Sequence, residues 1–270
     1  MKRTLCIAFA MVCACFGFSG QAFAGLSVAP GIIEMIAARQ DEATGAVKVT
    51  NVGKEVVHVT VEPEDWRRGV DGRRGGPVSE WLSVEPQILD LEPGQAGEVS
   101  YHVKVPPDAA GEYAAQIFFS EAATGGGATE IRTRIGVILY VAVRETIRLE
   151  SEISDVKISL GRDGDSWVLT AQVAVTNPGN VHIRPTGEVK LYDMQGNFVL
   201  AAILNTGWGI LPSESYTYQG SGRGPVFKQG KYKAVATIDY GKLFKQQKSY
   251  TKDFFFQVEQ DGKIRLEDKQ

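Results

Sequence analysis

Cysteine is scarce in this sequence of 270 residues, and all of it lies near the start, as Cys6, Cys13 and Cys15. Beyond residue 15 the chain cannot form a disulfide, so its stability must come from packed cores alone. Long apolar runs are scarce too: the longest, Leu5 to Phe18, has fourteen residues. A helix that spans a bilayer needs about 20. The sequence therefore predicts no integral membrane span.

The same apolar run indicates export. It follows Lys2 and Arg3 and precedes Ala22-Phe23-Ala24, the small-x-small pattern that a signal peptidase recognises. We predict a cleavable signal peptide over residues 1–24 and delivery to a Gram-negative periplasm. Lipid attachment at Cys15 is the alternative fate of this segment.

Histidine and catalytic motifs are also few. His58, His102 and His182 are the three histidines, and none stands at metal-ligand spacing from another. The sequence contains no Gly-x-Ser-x-Gly elbow and no phosphate-binding loop. We therefore expect no catalytic activity, no bound metal and no cofactor.

Net positive charge is lacking. The formal net charge is −3, which becomes −5 for residues 25–270 once Lys2 and Arg3 are set aside. Such a chain lacks the basic field that nucleic-acid binding requires. One loop around Asp71-Gly72 is a local exception: it is either a candidate anion-binding site or a solvated hairpin tip. Its arginines are Arg67, Arg68, Arg73 and Arg74.

What the sequence does contain is β-structure. Short apolar runs that alternate or nearly alternate, such as Val56 to Val61 and Val99 to Val105, are separated by Gly, Pro, Asn and Asp. The best candidate for a helix, Ile32 to Arg39, has β-branched neighbours and is better interpreted as an edge strand. The predicted fold class is all-β.

An internal repeat predicts the number of domains. Val47 to Gly53 recurs as Val173 to Gly179, 126 residues later. Two further landmarks recur in the same order at an offset of 119: Leu91-Glu92-Pro93 as Ile210-Leu211-Pro212, and Gly111-Glu112-Tyr113 as Gly230-Lys231-Tyr232. Three ordered landmarks predict two immunoglobulin-like β-sandwich domains. We place them at residues 25–145 and 146–258, with a polar tail over residues 259–270.

The last strand of the first copy, residues 131–143, is long for a strand. Its alternating apolar residues have two interpretations. They are either core positions, or an edge that receives a client strand and contacts it with apolar side chains. On the second interpretation the client-binding residues are Ile131, Thr133, Ile135, Val137 and Leu139.

These features together resemble the PapD-like periplasmic chaperones of pilus assembly, over about residues 26–258. The resemblance implies that the last strand of the first domain completes an unfinished pilus subunit. It also implies that an Arg in the first strand and a Lys in the last strand of that domain anchor the subunit's terminal carboxylate. Here Leu26 to Gly31 contains no arginine, and Gly136 stands at the lysine position. Arg134 is the nearest candidate substitute for anion binding.

The predicted function is a periplasmic chaperone-like or assembly factor. It would bind extracytoplasmic protein clients, such as pilus or fimbrial subunits, by β-strand addition. The alternative is a non-catalytic structural or adhesive module of the cell envelope. It is suggested by the WxL-interacting surface proteins, which show similar Leu-x-Pro-Gly and Gly-x-Tyr landmarks.

Overall fold

The structure, a computed structural model, describes residues 25–66, 78–121, 133–224, 228–259 and 263–266. The predicted signal peptide, the lipidation site Cys15 and the four-arginine loop lie outside the described residues. The strands are β1 (Leu26–Ala29), β2 (Ile32–Ala37), β3 (Glu42–Asn51), β4 (Val57–Asp65), β5 (Leu82–Glu85), β6 (Ile88–Leu91), β7 (Ala96–Lys104), β8 (Glu112–Glu121), β9 (Arg134–Val143), β10 (Glu152–Asp163), β11 (Ser166–Thr176), β12 (Thr186–Asp193), β13 (Phe198–Leu204), β14 (Ser215–Gly224), β15 (Gly230–Tyr240), β16 (Lys248–Val258) and β17 (Ile264–Leu266).

Strands β1 to β9 form the first domain as a sandwich of two sheets. One sheet has the order β1-β3-β7-β5 and the other β2-β9-β8-β4-β6. Alternation decides which side chains lie between the sheets: on β4, Val57, Val59 and Val61 are buried, while the intervening His58 and Thr60 are exposed. The buried positions of both sheets form one apolar core.

The chain changes sheets near its start. Strand β1 pairs with β3 in one sheet, and after Pro30 and Gly31 strand β2 pairs with β9 in the other. Strand β2 is the outermost strand of its sheet and runs parallel to β9. The prediction of an edge strand at Ile32 to Arg39 is confirmed over Ile32–Ala37, and Arg39 lies in the turn that follows.

Strands β10 to β17 form the second domain. They make one hydrogen-bonded sheet in the order β10-β11-β14-β13-β12-β15-β16-β17, and its inward side chains enclose a second core. The ends of the sheet approach each other, because Nζ of Lys252 on β16 donates to the carbonyls of Ile153 and Ser154 on β10, both at 3.2 Å. The predicted all-β fold class is confirmed.

The sheet continues beyond residue 258, where the sequence predicts a polar tail. Residues Ile264–Leu266 form β17 and pair with Phe256, Gln257 and Val258 of β16. Ile264 packs against the second core. Two apolar residues flanking Arg265 are enough for a short strand when a neighbouring edge is available, so the tail prediction is corrected over these three residues.

The repeated landmarks perform the same structural task in each domain. Asn51, fully buried, donates from Nδ2 to the carbonyls of Glu55 at 2.7 Å and Leu91 at 2.8 Å, and its Oδ1 accepts from the amide of Gly53 at 2.8 Å. The asparagine thus ties the end of β3 to the end of β6.

Asn177 repeats this arrangement in the second domain. It is fully buried and donates to the carbonyls of Val181 at 2.8 Å and Ile210 at 2.9 Å, while it accepts from the amide of Gly179 at 3.0 Å. Residues at matching positions of the sequence repeat therefore make equivalent hydrogen bonds in the two domains.

The Gly-x-Tyr landmarks also match. The hydroxyl of Tyr113 accepts from the amide of Ala110 at 3.1 Å, and that of Tyr232 donates to the carbonyl of Lys228 at 2.8 Å. Each tyrosine bonds to backbone three or four residues upstream, as the corner tyrosine of immunoglobulin-like sandwiches does. Among the described residues, no helix is long and apolar enough to cross a membrane.

Candidate functional site

The two halves of β9 have different neighbours. On one side β9 pairs with β8, from Ser120↔Arg134 to Glu112↔Ala142. On the other side it pairs with β2, and that pairing starts at Ile32↔Ile138. Among the described residues, the first half of β9 therefore has a paired strand on one side and an open edge on the other.

The hydrogen bonds show which backbone groups face this edge. Glu121 N donates to Thr133 O at 2.9 Å, and Val143 N donates to Gly111 O at 2.8 Å. Since hydrogen-bonded pairs alternate along an antiparallel ladder, the odd-numbered residues of β9 bond to β8 and the even-numbered residues direct N–H and C=O the other way. Ile138 N, which donates to Gly31 O at 3.1 Å, follows this rule.

Arg134 and Gly136 therefore present their backbone N–H and C=O groups to the open edge. They come before the start of the pairing with β2. A strand that arrived here could form main-chain hydrogen bonds and extend the sheet. This is the geometry that strand addition requires.

The side chains of β9 correct part of the prediction. Val137 and Leu139 are fully buried in the core of the first domain, Ile135 is partly buried against it, and Thr133 is partly buried. The prediction that Val137 and Leu139 contact a client is wrong, because their face of the strand lies between the two sheets of the domain. Ile131 lies outside the described residues.

The other face of β9 carries a compact stack. Gly136 lies opposite Phe118 of β8, and a Cβ at position 136 would stand 2.9 Å from Cε1 of that ring. The guanidinium carbon of Arg134 lies 3.5 Å from the ring centroid, on the same face of the sheet as Gly136. Glu64 of β4 pairs with this guanidinium. The phenyl ring thus occupies the space that a side chain at position 136 would take.

This stack bears on the anion-binding prediction. Arg134 does project on the same face as Gly136, but its charge already has Glu64 as a partner and Phe118 as a platform. The arginines predicted to form an anion-binding loop, Arg67, Arg68, Arg73 and Arg74, lie outside the described residues.

The three histidines lie at different places in the fold. Exposed His58 on β4 pairs with Asp90, and His102 on β7 lies 3.3 Å from Glu42. His182, in the segment between β11 and β12, is 1% exposed. Among the described residues, no three His, Cys, Asp or Glu side chains are grouped closely enough to hold a metal ion.

His182 lies at the junction of the two domains, between two carboxylates of the first. Its Nδ1 is 2.6 Å from Oε2 of Glu112 at the start of β8, and its Nε2 is 3.0 Å from Oε1 of Glu34 on β2. The backbone amide of His182 also donates to Glu112 at 3.0 Å. Arg184 donates from Nε to the same oxygen of Glu34 at 2.7 Å.

These contacts shift the pKa values of the junction. Burial alone would lower the pKa of His182, but the hydrogen bonds with Glu112 and Glu34 outweigh it and raise that pKa above its ordinary 6.5. The hydrogen bond from His182, joined by that from Arg184, lowers the pKa of Glu34 to about 2 although burial opposes it. Both shifts have the direction expected of an imidazolium paired with an ionised Glu34.

Aromatic rings extend the junction on one side. The imidazole stacks on Tyr140 of β9 with centroids 4.2 Å apart, and Trp66 meets Tyr140 edge-on at 5.4 Å. Beside them a cleft of about 410 Å³ opens between the domains, lined also by Arg148 and Pro212. The junction therefore has a packed part around His182 and an open part beside Tyr140.

The sequence offered little signal for this cluster. Glu34 and Glu112 lie 148 and 70 residues from His182, so no local spacing connects them. The one hint is that Glu112 belongs to the Gly-x-Tyr landmark, where the second copy has Lys231.

No protein-family model matches this chain, and no curated protein matches it either. It is similar to solved structures. The YadV chaperone is 11% identical, with a TM-score of 0.44 and coverage of 85% of this chain and 100% of the other. The class 5 fimbriae chaperone CfaA is 16% identical, with a TM-score of 0.46 and coverage of 84% and 98%. The CupB2 chaperone of Pseudomonas aeruginosa is 13% identical, with a TM-score of 0.41 and coverage of 84% and 98%.

Proposed function

We propose that this protein is a chaperone-like assembly factor of the periplasm that binds extracytoplasmic protein clients, of the pilus-subunit kind, by adding a client strand to β9. The observation that carries the proposal is the open backbone edge at Arg134 and Gly136. A protein that offers unpaired main-chain groups can hold a partner whose own sheet lacks a strand.

Side chains near the edge would add apolar contacts. Val28 of β1 and Ile135 are partly buried against the first core, and Ile32, at the start of β2, is 44% exposed. Client side chains pointing toward the core would meet the first two residues, and Ile32 would meet the end of the added strand. The edge should therefore favour a client segment that is extended and apolar.

The test removes one backbone N–H donor at the open edge and leaves the hydrogen bonds between β8 and β9 intact. Arg134→Pro removes the N–H that faces the open edge, a position where proline is compatible with an edge strand. Arg134→Ala removes the side chain and keeps the N–H. We expect the proline variant to capture clients from a periplasmic extract about tenfold less well than wild type, and the alanine variant to stay close to wild type.

Circular dichroism and thermal unfolding establish that both variants are folded. Capture of the same clients at the same yield by Arg134→Pro would contradict strand addition at this edge. A charge at Val137 would not serve as a test, because that side chain is fully buried and the domain would unfold.

A further inference from the structure

The surroundings of His182 determine which protonation state fits. Both ring nitrogens face carboxylate oxygens, Nδ1 toward Glu112 and Nε2 toward Glu34. An ionised carboxylate can only accept hydrogen bonds, and a neutral imidazole has a single N–H. Both contacts are satisfied together only when the ring carries two protons and a positive charge.

On the Glu112 side of the ring, water has little room to bridge His182 and Glu112 when the proton between them is missing. Between Glu34, Glu112, Tyr140, His182 and Phe244 the remaining void is about 10 Å³, at the lower limit for one water molecule. The side chains of His182 and Glu112 are 1% and 4% exposed. His182 and Glu112 must therefore satisfy each other, whereas the side chain of Glu34 is 22% exposed and borders a wider pocket.

The other charges near the ring come from the second domain. Arg184 donates to Glu34, and Lys242 lines a pocket of about 260 Å³ next to Glu34 and His182. Glu34 consequently keeps a cationic partner if His182 loses its charge. When the neutral ring keeps its remaining proton on Nδ1, facing Glu112, the contact between Glu34 and His182 fails first, because the lone pair on Nε2 then faces a carboxylate oxygen.

We propose that His182 is a proton-controlled lock between the two domains, closed when its ring is doubly protonated and weakened when it is neutral. The lock is independent of the strand-adding edge on β9, since it involves the junction and needs no client. With the lock weakened, the domains remain joined through the connector, where Gly111 N donates to Oγ1 of Thr146 at 2.7 Å.

The pH dependence follows from the two shifted groups. The raised pKa of His182 makes its contribution to stability full below about 6.5 and lost as pH rises through the higher value in the folded state. The lowered pKa of Glu34 makes its contribution full above its ordinary 4.5 and lost as pH falls toward about 2. The junction is tightest between these limits.

The experiment follows the wild-type protein without any client. Its histidine rings are titrated by NMR, with the His182 signal assigned by its loss in His182→Gln, and small-angle scattering records the interdomain arrangement at the same pH values. We expect His182 to titrate above pH 6.5 and the scattering profile to change over that same titration. A His182 midpoint at or below 6.5, or an unchanged scattering profile across it, would overturn the proposal.

A pair of matched variants separates the lock from general charge effects. Glu34→Gln supplies an amide that can donate to a neutral imidazole, so the scattering profile should lose its dependence on pH. Glu42→Gln makes the same change beside the partly exposed His102 and should leave that dependence as in wild type. If Glu42→Gln abolishes it, or Glu34→Gln retains it, the lock is not at His182.

Discussion

In each domain one buried asparagine bonds to backbone groups at the end of a strand. Asn51 and Asn177 each satisfy two backbone carbonyls and one amide that the folds would otherwise bury without partners. An unsatisfied buried group costs about 1–3 kcal/mol. Asparagine is used here because its amide donates and its carbonyl accepts within one short side chain.

We expect Asn51→Ala and Asn177→Ala each to lower the free energy of unfolding by about 2–4 kcal/mol, because two carbonyls lose their donor in a buried site. Chemical denaturation measures the change. Asn205→Ala, the same substitution at an exposed position, is the matched control and should change stability by less than about 0.5 kcal/mol. If Asn177→Ala lowered the free energy of unfolding no more than Asn205→Ala does, the structural equivalence of the two landmarks would be contradicted.

The structural role of Asn51 and Asn177 could be predicted from the sequence, and that of His182 could not. The Asn-x-Gly repeat marks a strand end through local turn chemistry, which sequence records directly. His182 acquires its role from Glu34 and Glu112, which reach it through tertiary structure. A contact between residues so far apart depends on how two folded domains pack, and no local pattern encodes that packing.

At the scale of elements, β9 combines a buried face, a stacked outer face and an open edge. Alternation in the sequence correctly divides its residues into two sets. It does not say which set faces the core, because an apolar stripe suits a core and a docking surface equally well. The alternation alone is compatible with both interpretations, and the burial of Val137 and Leu139 decides for the core.

The stack on the outer face predicts how β9 responds to a larger residue. Gly136→Val brings a side chain against Phe118, so we expect a loss of about 1–3 kcal/mol in the free energy of unfolding. Measured by urea denaturation in a Phe118→Ala background, the same substitution should cost at least about 1 kcal/mol less, because the ring is gone.

Gly161→Val, on β10, is the control for this change. No atom lies within 4 Å of a Cβ built at position 161. Valine also suits a strand better than glycine, so stability should be unchanged or raised. If Gly136→Val lowered the free energy of unfolding equally with and without the Phe118 ring, the phenyl group would not fill that space.

At the scale of the whole molecule, the repeat in the sequence correctly indicated that two similar β-rich units follow one another. Each has its own apolar core. The short strand β17 was missed because three residues give too little periodicity to distinguish a strand from a tail. The contact between domains was beyond sequence reasoning, since it joins groups from β2, β8 and the segment after β11.

The pairing of β2 with the second half of β9 leaves the first half open, and the proposed function depends on that opening. Amide hydrogen exchange of the free protein and of its client complex tests it most directly. In the free protein the amides of Arg134 and Gly136 should exchange fast while those of Ile135 and Val137 exchange slowly, and client binding should slow the first pair. A Gly136 amide that is already as protected as Val137 in the free protein, or that is unaffected by a bound client, would contradict the account.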